Sequence, residues 1–131
     1  MTDWSSMIIH QQAAAEKFAV HGVEFHSYAR TLTGSHQLGA WQAEFPPQTA
    51  GVPHHMSVEE VFRVLSGRLR IEIGNEVADV ASGDVVVVPA RSRFRVSNES
   101  DDVASAWIVT PLGMEFRLEG SETTVRPPWA Q

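Results

Sequence analysis

Apolar and polar residues alternate along most of this chain with a period of two, the pattern of strands that bury one face. The clearest case is Arg68-Leu69-Arg70-Ile71-Glu72-Ile73, with the aliphatic residues on one side and the charges on the other. Strand-like stretches also occupy 23–30 (VEFHSYAR), 37–45 (QLGAWQAEF), 59–67 (EEVFRVLSG), 94–98 (FRVSN), 103–112 (VASAWIVTPL) and 114–120 (MEFRLEG). Turn formers separate them: TLTGS after the first, Pro46-Pro47 after the second, Ser82-Gly83-Asp84 ahead of the four valines at 85–88. Gly74-Asn75 predicts a two-residue hairpin loop into 76–80, since both residue types tolerate positive φ. Only 13–18 (AAAEKF) reads as helix, and it is short. Short strands with Gly, Pro and Asn punctuation predict an all-β sandwich or barrel. The four valines are apolar on both faces, so this strand is expected to be covered on both sides.

A length of 131 residues suits one domain with a real core. At 43% hydrophobic and 20% charged the composition is that of a folded globule. The net charge of -6, with lysine and arginine scattered, argues against nucleic acid as a partner, because phosphate binding needs a concentrated basic face. No cysteine is present, which excludes disulfides and thiolate chemistry. The opening MTDWSSMIIHQQ has an acidic residue and no basic apolar leader, and no aliphatic run is long enough to cross a bilayer. A cytoplasmic protein without a membrane partner is expected. Phosphate-cradling glycine loops, GxSxG elbows and HExxH motifs are absent from the sequence.

Two groups of residues carry more information than the pattern. Glu60 is followed after six residues by Gly67; Gly83 is followed after five by Pro89, with Asn98 further on. In this order and spacing they resemble the two motifs of the cupin family, in particular its small single-domain bacterial, RmlC-like members. The resemblance implies a double-stranded β-helix (jelly-roll) barrel, a single domain over 1–131. The motif-bearing core covers about 36–112, with an N-terminal strand and turn over 1–22 and a C-terminal strand and tail over 113–131.

In metal-binding cupins the ligands are two motif-one histidines, the motif-one glutamate and the motif-two histidine. Here the motif-one pair is incomplete in either register: a gap of four residues before Glu60 gives Pro53 and His55, and a gap of three gives His54 and Met56. Phe94 stands at the motif-two histidine, and Arg91 replaces the glycine after the proline. Zinc, iron, nickel or manganese normally needs three converging side chains, so no metal cofactor is expected. A divalent ion held here nonetheless would draw on His54, His55 and Glu60. Strand alternation turns only one of the two histidines inward unless a bulge intervenes.

The expected function is binding of a small organic molecule inside the barrel. Phe62, Phe94 and Trp41 would make apolar contact, while His55 and Glu60 fix orientation. His54 and Gln42 are candidates too, because alternation leaves open which of 54 and 55, and which of 41 and 42, faces inward. A cupin-type enzyme is the alternative, either a metal-dependent dioxygenase, isomerase or cyclase, or a metal-free isomerase with a histidine base oriented by a carboxylate. A sensory module acting through a separate partner is a third class. His10, His21, His26 and His36 fall outside both motifs and are expected on the surface or in strands. Arg91 and Arg93 are expected to be solvated, with a carboxylate clamp at the barrel mouth as their other role. Apolar outer faces predict a homodimer with 6–10 (SMIIH) as an exchanged strand, unless the N-terminal segment and the PPWAQ tail cover those faces.

Overall fold

The computed structural model describes residues 7–131. Two antiparallel sheets of six strands face each other across one core. The first contains, in spatial order, Glu16–Val20 (β1), Val23–Ala29 (β2), Leu38–Phe45 (β3), Ala104–Pro111 (β10), Glu60–Ser66 (β5) and Val85–Val88 (β8). The second contains Thr124–Val125 (β12), Phe116–Leu118 (β11), His54–Met56 (β4), Arg93–Ser97 (β9), Arg68–Ile73 (β6) and Glu76–Ala81 (β7). The chain passes repeatedly from one sheet to the other, which makes the expected all-β jelly roll.

Period two decides what each strand buries. Along β3, Trp41, Ala43 and Phe45 are inside, while Gln42 and Glu44 are only half-buried. Phe62 and Val64 of β5, Leu69 and Ile71 of β6, and Ala106 and Ile108 of β10 meet them from the other strands. Each large apolar side chain so buried contributes about 1.5–3 kcal/mol. Gly67, between β5 and β6, has φ +76, and a Cβ there would stand 2.8 Å from the Ala104 Cα. Only glycine fits that crossing. The hairpin at Gly74-Asn75 forms as read, with positive φ at Gly74 alone (58°), the pattern of a type II′ loop. Asn98 is fully buried and holds a turn together: its amide donates to the carbonyls of Phe45, Pro46 and Asp102, and its oxygen accepts from Ser100.

One expectation at the N-terminal end does not hold. The stretch 13–18 is no helix: a single 3₁₀ turn covers Gln12–Ala14, and Glu16 onward is β1, paired with β2. Six residues cannot carry the nucleation cost of a helix, whereas Phe18 and Val20 pack on the core with a strand's period. Of the proposed exchanged strand, Ser6 lies outside the described residues, as does half of the opening MTDWSSMIIHQQ. Met7, Ile8 and Ile9 are exposed, and residues 7–10 pair with no strand of their own chain.

The C-terminal tail packs inward. Trp129 is 5% exposed and stacks on Phe25 with centroids 4.1 Å apart and planes 6° from parallel. Arg30 binds the tail through the Pro128 carbonyl at 3.3 Å, pairs with Glu16 and lies over the Phe18 ring. Because the tail is spent there, it leaves the outer face of β5 and β8 uncovered: Val61, Leu65, Val85 and Val87 are 38–58% exposed. Among the described residues, the valine strand is therefore covered on its inner side only.

Candidate functional site

A cavity of about 140 Å³ lies between the sheets. Trp41, Phe62, Phe94 and Ile108 line its depth. Exposed His21, Ala50 and Val52 mark its mouth.

Of the sequence-selected residues, His54, Glu60, Phe62, Phe94 and Trp41 face this cavity, and His55 and Gln42 do not. The reason is register. His54 sits opposite Phe94 on β9 and Leu118 on β11, with ring centroids 5.3 Å from Phe94 and 5.7 Å from Phe116. His55 points the other way and donates through Nδ1 to the Arg91 carbonyl at 3.4 Å. The cavity thus takes His54, not the expected His55, among its lining residues together with Glu60. Gln42 lies on the outer face between His26 and Trp107.

His54 donates through Nδ1 to the Val52 carbonyl at 3.0 Å, which fixes the tautomer and leaves Nε2 of the neutral ring as an acceptor. Burial holds its pKa below the usual value; the Val52 hydrogen bond opposes that, and His55 and His21 add to the lowering. Glu60 is 6% exposed, and burial pushes its carboxyl up to about 8. It enters neutral solution as an uncharged acid. Among the described residues nothing hydrogen-bonds to Glu60 Oε2, and nothing to Trp41 Nε1, although both atoms are buried. Glu60 does not orient His54; the Val52 carbonyl does.

Neither Arg91 nor Arg93 lines the cavity. Arg91 is exposed in a left-handed conformation, φ 64°, at the position where the cupin motif carries glycine. Arg93 pairs with Glu119 at 2.8 Å.

Sequence reasoning missed most of the lining, His21 and Trp129 among it. His21 lines the mouth from the β1–β2 turn, where His21 and Gly22 both have positive φ (51° and 80°). The pattern Val-His-Gly-Val was legible as a two-residue loop once its flanks were read as strands. Trp129 closes a wall from the tail, with only its aromatic character as a signal.

The positions that carry metal ligands in cupins fall here on His54, Met56, Glu60 and Phe94. The structure selects the three-residue gap, because His54 and Met56 share one face of β4 and both line the cavity. One imidazole and one carboxyl do not make a metal centre, and His54, His55 and Glu60 do not converge. The interior residues therefore do not fit the usual cupin metal. Among the described residues, the one group of three able to hold an ion is on the outside of the barrel: the side chains of Glu24, His26 and Glu44 bring ligand atoms within 4.8 Å of one another. His26 Nε2 already lies 2.5 Å from Glu24 Oε1, and Lys17 Nζ stands 3.9 Å from the same oxygen.

Comparisons with known proteins agree with the fold. The polyketide cyclase RemF from Streptomyces resistomycificus superposes with a TM-score of 0.73 at 15% identity, over 81% of this chain and 80% of that one. An RmlC-like cupin from Shewanella frigidimarina gives 0.69 at 15%, over 81% and 91%. A sugar phosphate isomerase of the cupin superfamily from Silicibacter pomeroyi gives 0.70 at 14%, over 87% and 83%. At these identities the likeness shows the fold alone. No curated protein matches the sequence. The family profile described as "Cupin domain" matches residues 41–111, more than half of the chain. The chain belongs to the cupin family.

Proposed function

We propose that this cupin binds a small organic molecule in the barrel interior, without the metal usual in the family. One observation carries the reading: a cavity whose apolar walls contain two buried polar groups, Trp41 Nε1 and Glu60 Oε2, with no hydrogen-bond partner among the described residues. A buried polar group left unpaired costs about 1–3 kcal/mol, and a bound ligand is one way to remove that cost. Native mass spectrometry and elemental analysis of purified protein test it. A non-covalent small molecule and substoichiometric metal are expected. Stoichiometric metal that disappears in Glu60→Ala would replace this reading with a metalloenzyme.

A metal-free isomerase is the second reading, supported by the unprotonated Nε2 of His54 in the same cavity as the carboxyl of Glu60. Solvent deuterium exchange into a bound carbonyl compound, lost in His54→Ala, would favour it over binding alone.

The quaternary proposal is a homodimer through the outer face of the first sheet. Val61, Leu65, Val85 and Val87 are exposed there, beside half-buried Trp107 and Val109. An uncovered apolar sheet face of this kind is unusual on a monomer. Light scattering decides it: a mass near 14.5 kDa at micromolar concentration would sink the dimer. A cytoplasmic location belongs to the same proposal and is checked by cell fractionation; among the described residues no helix is long and apolar enough to cross a membrane.

A further inference from the structure

The cavity restricts its occupant more narrowly than "small molecule". We propose that it takes an uncharged compound built on a single ring and bearing one hydrogen-bonding oxygen, held between Trp41 Nε1 and the Glu60 carboxyl, and that it rejects ring compounds with a full charge. This deepens the binding reading and rests on it.

Size sets the first limit. A dry apolar cavity of about 150 Å³ holds one benzene ring, and this one measures about 140 Å³. The walls suit a flat ring: Phe62, Phe94, Phe116 and Trp129 all border the space.

Charge sets the second. Among the described residues, no lysine, arginine or aspartate lines the cavity. The two arginines of β9 that flank Phe94 are engaged outside, Arg93 with Glu119 and Arg95 with Glu72 and the Gly51 carbonyl. A carboxylate entering would lose its water and find no counter-ion. Glu60, an uncharged acid in neutral solution because burial raises its pKa, offers no anion to a cationic guest.

Hydrogen bonding sets the third. Trp41 is 2% exposed and Glu60 6% exposed, and each has one buried atom with no partner among the described residues. An indole N–H only donates, so the ligand must present an acceptor to Trp41. A protonated carboxyl can donate to the same oxygen. His54 Nε2 can accept, which favours a hydroxyl over a carbonyl on the ring.

A panel of near-equal size reads all three limits: phenol, benzaldehyde, toluene, benzoate and benzylamine, with 1-naphthol for size. Affinities at pH 7 come from calorimetry or ligand-observed NMR on the full chain. Phenol and benzaldehyde are expected to bind about tenfold or more tighter than toluene, the effect of one net hydrogen bond or two. Benzoate and benzylamine are expected to bind more weakly than toluene. Trp41→Phe keeps a ring but loses the N–H and should shrink the phenol-to-toluene ratio to about threefold or less. The ranking on unmodified protein stands whether or not that variant folds. Benzoate or benzylamine binding as tightly as phenol would overturn the charge limit, and 1-naphthol binding as tightly would overturn the size limit; in both cases the barrel still binds small molecules. If no member of the panel binds, toluene included, the binding reading fails with the inference.

Discussion

Replacing Glu60 with glutamine removes an ionisation while keeping nearly the same shape, so its effect on stability should depend on pH. The Glu60 carboxyl is raised from 4.5 to about 8 by burial. Between those values the folded state keeps a proton that the unfolded chain releases. Stability from this group is therefore fully present below about pH 4.5, falls as pH rises, and is lost above about 8. The slope is about 1.4 kcal/mol per pH unit over about 3.5 units, or about 5 kcal/mol in all. Glu60→Gln has no such slope. Its unfolding free energy should match wild type near pH 5 and exceed it by several kcal/mol at pH 9. His54 also titrates with a shifted pKa, but it is present in both proteins and cancels in the difference. Urea denaturation followed by tryptophan fluorescence at each pH from 5 to 9, on dialysed protein, measures this difference. A wild-type-minus-variant gap that stays constant across the range would refute the argument that Glu60 is buried as a neutral acid.

Three further outcomes are expected. Arg91→Gly relieves a left-handed conformation at an exposed turn and should stabilise the fold by about 1 kcal/mol in thermal denaturation. Asn98→Ala strips the donors from three carbonyls and should cost about 3 kcal/mol or more by the same assay. Met56→His combined with Phe94→His adds two imidazoles to the cavity that His54 and Glu60 line; nickel or zinc should then bind at one equivalent by calorimetry, and wild type is expected to bind neither there.

The fold was legible because its determinants are local. Alternation at 68–73, the Gly74-Asn75 loop and the glycines flanking β5 and β8 each state their structure within a few residues. Motif positions such as Gly67 and Asn98 proved to be backbone devices, a close crossing and a held turn, which is why they persist here without the metal ligands. The site was legible only in part. Glu60, Phe62 and Phe94 lie on strands long enough for period two to orient them. His54 and His55 lie on a three-residue strand whose facing is set by partners on β9 and β11, nearly forty and more than sixty residues away. The helix expected at 13–18 failed for a related reason: alanine's high helix propensity counts for little over six residues, and packing of Phe18 and Val20 against the core decides the outcome.

The stacking of Trp129 on Phe25 also has a kinetic side. It joins the last residues of the sequence to the second strand, nearly the full chain apart, and contacts of such separation are costly to close early in folding. The sheets can pair from nearer neighbours first, leaving the pocket open on one side until the tail docks. Folding followed by a probe of pocket closure should therefore lag behind folding followed by backbone signals. A chain stopped short of Pro127 would hold a jelly roll with a missing wall: built, but unable to keep water out.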